Sequence, residues 1–125
     1  MTTIKIDGNH LTLDNIVAVA RHNVKIELTS ESIQNIETSR RYVDALVESG
    51  EIVYGITTGF GNFSNVHISK DQAKDLQRNL IISHSCGVGD YLPTDAVRAM
   101  MLLRINNLAK GFSGIRLSTI ETLMN

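Results

Sequence analysis

Proline is almost missing from this chain: Pro93 is the single one in 125 residues. Cysteine is as scarce. Cys86 stands alone, so no internal disulfide can form, and a reducing, cytoplasmic setting is the default. There is no tryptophan, and aromatic residues make up only 5%. Neither sign of charge dominates: 12 Lys and Arg against 13 Asp and Glu leave a net charge of −1. That balance gives no electrostatic reason to expect nucleic acid or an anionic membrane as partner. No apolar run approaches the roughly twenty residues that cross a bilayer. The opening MTTIKIDGNH lacks a basic cluster followed by an apolar core, so no secretory signal is expected. His10, His22, His67, His84 and Cys86 show no metal-ligand spacing, and no metal is expected. Internal repeats and low-complexity segments are also missing.

What is present reads as a folded, mostly helical chain. Hydrophobic residues at 42% and charged residues at 20% belong to a globular protein, and the length is about that of one domain. Ile4 and Ile6 alternate with polar residues and predict a short strand ending at Gly8-Asn9. Thr12 caps a helix from Leu13 to about Arg21, with Ile16, Val17 and Ala20 on one side. Val24, Ile26 and Leu28 predict a second strand, paired with the first. Thr29 or Ser30 caps a helix to about Ser49, striped by Ile33, Ile36, Val43, Leu46 and Val47 and ended by Gly50. Ser69-Lys70-Asp71-Gln72 has the form of a capping box. The helix it opens runs to about Ser85 and closes at Gly87 or Gly89, with Ala73, Leu76, Leu80 and His84 on one face. Pro93 suits the first turn of a helix reaching about Lys110, which Gly111 stops, and a last helix starts near Gly114. The expected fold class is mainly α, a helical region with a small two-stranded β element. It is read as one domain over residues 1–125: strand-helix-strand at 1–28, a glycine-rich loop at 53–66, helices at 69–125.

Two features point to part of a larger body. AVRAMMLLRIN, within 93–110, is apolar on nearly every side, and such helices are normally enclosed. The closing IRLSTIETLMN has no stop signal, the lesser alternative being a terminal helix that simply frays.

Candidate chemistry centres on VYGITTGFGNF at 53–63. Gly55, Gly59 and Gly61 give the order G-x-x-x-G-x-G with no Lys-Ser/Thr after it, so a nucleotide loop is rejected. Composition leaves two readings: a loop whose glycines take conformations closed to other residues, or a lid that closes over a substrate. Tyr54 is either a core aromatic with a satisfied hydroxyl or a phenol poised for acid/base work. His84, at a helix C-terminus, is either held by the last carbonyls or free to hydrogen-bond a polar substrate. A Cys86/His84 nucleophile pair has no supporting motif. Arg98, Arg104 and Arg116 are candidates for a carboxylate grip or for ordinary surface and ion-pair roles, and spacing selects none of them.

Three blocks go further: YGITTGFG at 54–61, LQRNLIISHSCGVG at 76–89 and LLRINNLAKGFSGIR at 102–116. In order and spacing they resemble the N-terminal part of the aromatic amino acid ammonia-lyases, over nearly the whole chain. The resemblance implies part of a larger helical lyase fold and a homotetramer. It implies an electrophilic methylidene-imidazolone cofactor made from an internal Ala-Ser-Gly, and loss of ammonia from an amino acid. It makes Tyr54 the catalytic tyrosine on a lid that includes Gly55, Thr57, Thr58, Gly59, Phe60 and Gly61. It makes Ser83 and His84 substrate contacts. A histidine at 84 suits an imidazole, which can exchange a ring hydrogen bond that phenyl cannot. The branch implied is therefore the one that converts L-histidine to trans-urocanate and ammonia. Phenylalanine or tyrosine lyases, aminomutases, and a non-catalytic helical interaction module are the alternatives. One departure is large. The chain has no Ala-Ser-Gly: its Ser-Gly pairs are Ser49-Gly50 after Glu48 and Ser113-Gly114 after Phe112. The chain alone is therefore expected to be inactive, a piece that associates with the rest of the lyase or with itself.

Overall fold

The computed structural model describes residues 3–59 and 70–125. In chain order they form β1 (Ile4–Ile6), α1 (Leu13–His22), β2 (Ile26–Leu28), α2 (Ser30–Ser49), α3 (Lys70–His84), α4 (Thr94–Leu108) and α5 (Leu117–Met124). They group into two compact units. One holds the described residues through Tyr42 together with Tyr91–Asn125, and the other holds those within Val43–Asp90.

In the first unit, local sequence sets the elements. Thr12 accepts a hydrogen bond from the Asn15 backbone at 3.2 Å, and the Asn15 side chain accepts from the Thr12 backbone at 3.2 Å. This reciprocal cap starts α1. Asn23, in the left-handed region at φ 54°, ends it, and Val24 donates back to the Ala18 carbonyl at 3.2 Å. That bond keeps Val24 out of β2, which is shorter than its alternation predicts. β1 and β2 pair in parallel with Ile4 opposite Ile26 and Ile6 opposite Leu28. Parallel neighbours need a crossover between them, and α1 supplies it. Thr29 caps α2 by accepting from the Ser32 backbone at 3.2 Å.

The core is Ile6, Val19, Ile36, Leu102, Ile105, Leu108, Ala109 and Ile120, drawn from β1, α1, α2, α4, α5 and the end of α4. Burying each large aliphatic side chain contributes about 1.5–3 kcal/mol. One expectation is corrected here. Val17 is exposed and Val19 is buried: α1 packs on α4, and the inner side of the helix runs through Ile16, Val19 and Ala20. Pro93 stands just before α4 in an extended conformation, and its carbonyl accepts from Val97 at 3.1 Å. α4 ends at Leu108, slightly short of expectation, and Gly111 follows at φ +77°. A Cβ on Gly111 would lie 2.5 Å from the Asn35 Cβ and 2.7 Å from its carbonyl carbon, so the turn after α4 is seated against the backbone of α2. Gly114 is clamped to α2 as well: its N–H donates to Ser39 Oγ at 2.8 Å and its carbonyl accepts from Arg40 at 3.2 Å. This clamp holds the chain extended past Gly114, and α5 begins only at Leu117. While α4 buries Leu102, Ile105 and Leu108, it leaves Met100 and Leu103 about half exposed at 58% and 49%.

The second unit contains the C-terminal part of α2, the segment from Glu51 and α3. Leu46 is buried there, and Val43 and Val47 are half-buried, as the stripe predicts. α3 begins at Lys70, and the expected Ser69 cap lies outside the described residues, as does the side chain of Ala73. The helix stops at His84, one residue short of expectation.

Candidate active site

The glycine-rich segment folds into a tight local turn. The Val53 carbonyl accepts from Ile56 at 3.1 Å and from Thr57 at 3.0 Å, and Gly55 sits at φ +75°. A residue with a Cβ takes that conformation at a cost of about 1–2 kcal/mol. Two threonines brace the turn from inside. Thr57 Oγ1 accepts from the Val53 backbone at 2.8 Å and donates to the Glu51 carbonyl at 2.5 Å. Thr58 Oγ1 accepts from the Gly55 backbone at 3.3 Å and donates to the Gly59 carbonyl at 3.0 Å. Thr57 and Thr58 are 6% and 1% exposed, whereas Tyr54 is 63% exposed. Polar residues thus face inward and the aromatic one faces out. Of the two readings open for Tyr54, the core aromatic is excluded in this chain. Phe60 and Gly61, with the rest of the loop to residue 66 and His67, lie outside the described residues.

Ser83 and His84 share a hydrogen-bond network at the C-terminal end of α3. Ser83 Oγ donates to the Leu80 carbonyl at 2.9 Å, His84 Nδ1 lies 2.9 Å from the same oxygen, and the two side chains are 3.0 Å apart. Leu76 and Leu80 on that face are half-buried while the His84 ring is exposed. One ring nitrogen of His84 thus meets the last turn, and the rest of the ring is exposed.

The arginine candidates separate. Arg98 is committed within the fold, donating from Nη2 to the Val19 carbonyl at 3.0 Å, near the end of α1. Arg104 and Arg116 are exposed. Cys86 is exposed and free. Among the described residues, no three His, Cys, Asp or Glu side chains gather as a metal site. Two clefts in the first unit measure about 440 Å³ and 430 Å³. Neither is lined by Tyr54, Ser83 or His84, so these clefts are not where the candidate chemistry stands.

One feature went unread in the sequence. Asp7 accepts from the backbones of Asn9 and His10 at 2.8 and 2.9 Å and pairs with His10 Nδ1 at 2.5 Å. The His10 side chain, then the two backbone N–H groups, hold the Asp7 carboxyl well below the usual range, and Asp7 in turn raises His10. The spacing D-x-x-H beside a glycine was the available signal.

Comparison with known proteins follows the same lines. The chain is 56% identical over 124 residues to a histidine ammonia-lyase of Caldanaerobacter subterraneus subsp. tengcongensis, covering 99% of this chain and 24% of that protein. It is 54% identical over 121 residues to one from Streptococcus sanguinis, covering 97% of this chain and 24% of that protein. The chain thus spans about a quarter of the length of the curated relatives it matches. Among solved structures, histidine ammonia-lyase from Trypanosoma cruzi superposes with TM-score 0.89 at 38% identity, over 98% of this chain and 23% of that one. Tyrosine aminomutase from Streptomyces globisporus superposes with TM-score 0.91 at 34% identity, over 98% of this chain and 23% of that one. The family model for aromatic amino acid lyases matches residues 11–125, and the chain belongs to that family.

Proposed function

We propose that this chain is the N-terminal part of a histidine ammonia-lyase, an enzyme that eliminates ammonia from L-histidine to leave trans-urocanate. The observation that carries this reading is the 54–56% identity to curated histidine ammonia-lyases over almost the whole chain. Fold alone does not discriminate, since aminomutase and lyase structures superpose about equally well. Identity supports the histidine branch: the curated histidine ammonia-lyases stand at 54–56%, against 34% for the tyrosine aminomutase structure and 38% for the histidine ammonia-lyase structure.

In this reading Tyr54 is the acid/base residue, carried on a lid spanning 53–66 that includes Gly55, Thr57, Thr58, Gly59, Phe60 and Gly61. Its outward position on the braced turn is what such a group requires before a substrate arrives. Ser83 and His84 form the side-chain subsite. The electrophile of the family is a methylidene-imidazolone built from Ala-Ser-Gly. Neither Glu48-Ser49-Gly50 nor Phe112-Ser113-Gly114 has that composition, and Ser49 is occupied in donating to the Leu46 carbonyl. No residue of this chain fits the group, and no step here runs through it. We accordingly assign activity to the whole lyase, as a cytoplasmic oligomer, and none to these 125 residues alone.

The test is histidine deamination by the full-length lyase containing this segment, followed as urocanate absorbance. His84→Leu is expected to lower kcat/KM for L-histidine by at least about 10-fold, the loss of one buried hydrogen bond of roughly 1.4 kcal/mol. Tyr54→Phe is expected to cut turnover by about 10²–10⁴ with assembly intact. A full-length protein that deaminates phenylalanine or tyrosine in preference to histidine refutes the substrate assignment.

A further inference from the structure

The Ser83–His84 network carries more than proximity. A carbonyl oxygen can only accept, so the 2.9 Å approach of His84 Nδ1 to the Leu80 carbonyl is attractive only when Nδ1 carries its hydrogen. With a bare Nδ1, two lone pairs would face each other. The Ser83 hydroxyl sits 3.0 Å from Nδ1 and sends its own hydrogen to the Leu80 oxygen at 2.9 Å. Its lone pair is then turned to Nδ1–H as a second acceptor. All three distances fit one hydrogen arrangement. In it the neutral ring has its remaining lone pair on Nε2, and the ring is exposed.

We propose that Ser83 is a positioning residue that, with the Leu80 carbonyl, holds neutral His84 as the Nδ1–H tautomer, so that Nε2 meets substrate as a hydrogen-bond acceptor. The inference rests on the reading of His84 as the side-chain subsite and deepens it. An acceptor at Nε2 selects ligands that bring a ring N–H donor. Imidazole does so and phenyl does not, and a phenyl ring would leave Nε2 unpaired once water is excluded. Ser83 acts through His84 and need not touch the substrate.

The default for free histidine is the opposite tautomer, Nε2–H, which makes the proposal testable without any assay of turnover. Two-bond ¹H–¹⁵N correlation spectra of the histidine-labelled chain, at about pH 8.5 where an ordinary imidazole is neutral, read each ring directly. The expected result for His84 is a pyrrole-like Nδ1 and a pyridine-like Nε2. Ser83→Thr and Ser83→Val differ only in the hydroxyl and keep the shape matched. Thr is expected to keep the Nδ1–H tautomer, and Val to shift the population toward Nε2–H. In the full-length lyase, Val is expected to raise KM for L-histidine by about 10-fold over Thr, with kcat changed less. A His84 found as Nε2–H in the unsubstituted chain overturns the proposal. So does a Thr/Val pair with identical tautomer populations. If the full-length protein proves not to use histidine, the functional reading fails while the tautomer result stands, so the two failures are told apart.

Discussion

Replacing Gly111 by alanine asks for two separate costs at one position. The residue sits at φ +77°, where an L side chain costs about 1–2 kcal/mol. The added Cβ would also lie 2.5 Å from the Asn35 Cβ, 2.7 Å from its carbonyl carbon and 3.0 Å from its oxygen. Those are backbone-proximal atoms of α2 and cannot swing aside, so the turn must shift, at about 1–3 kcal/mol for overpacking. Alanine returns about 0.4–1 kcal/mol by restricting the unfolded chain. The expected net loss is roughly 2–4 kcal/mol, a large share of the 5–15 kcal/mol typical of a domain. At about 2.1 cal/mol/K per residue, that is a drop of roughly 8–15 °C in the melting midpoint. Gly50 provides the control: it has φ +72° but nothing within 4 Å of an added Cβ, so Gly50→Ala should cost no more than about 1.6 kcal/mol. Urea titration and thermal melts by circular dichroism compare the two. Equal losses for Gly111→Ala and Gly50→Ala would refute the close-approach argument.

Three further outcomes follow from the structure. The lowered Asp7 contributes stability above an unfolded carboxylate's value near 4, lost as pH falls through its folded value; the raised His10 contributes below about 6.5, lost as pH rises through its folded value. The melting gap between the chain and its His10→Ala variant should therefore be widest between about pH 4.5 and 6 and narrow on either side, and a gap independent of pH would contradict the pair. Thr57→Val removes the acceptor of the Val53 N–H at 2.8 Å and should speed hydrogen exchange at that amide by about 10- to 100-fold, with Leu102 and Ile105 amides unchanged. Met100 and Leu103 leave an apolar outer face on α4, so the isolated chain should self-associate in light scattering, and Met100→Glu with Leu103→Glu should reduce that; a monomer at all concentrations would count against it.

Local physics was legible in the sequence wherever a few neighbouring residues decide the outcome. Thr12, Thr29 and Gly50 mark helix ends because caps are sets of bonds within one turn. The strand pairing was readable from alternation, and its parallel sense follows once a helix lies between the strands. What was hidden depends on distant partners. Val17 and Val19 look alike in an apolar helix, and only the packing of α1 on α4 puts Val19 inside. Gly111 reads as a helix stop, whereas its contact with Asn35 is set by how α2 passes it. At the candidate site, the residue types were legible through resemblance, and their roles in the turn were not. Thr57 and Thr58 read as ordinary loop residues until their hydroxyls are seen bonding inward.

Those hydroxyls change how the tyrosine should be understood. A lid that is only flexible would have to order several residues at the moment of substrate binding, at about 1–2 kcal/mol each. Between Glu51 and Gly59, four side-chain bonds from two threonines and two backbone bonds to the Val53 carbonyl offset that cost locally. At roughly 1 kcal/mol per bond, they offset part of that ordering cost within the turn itself. The turn therefore sets the backbone at Tyr54, whose side chain is 63% exposed. In the proposed lyase, closure would then reorient a preformed turn about its ends instead of folding a disordered one. Tyr54→Phe would leave the turn intact, whereas Thr57→Val would loosen it without touching the phenol. Comparing the two separates chemistry from presentation at one position of the loop.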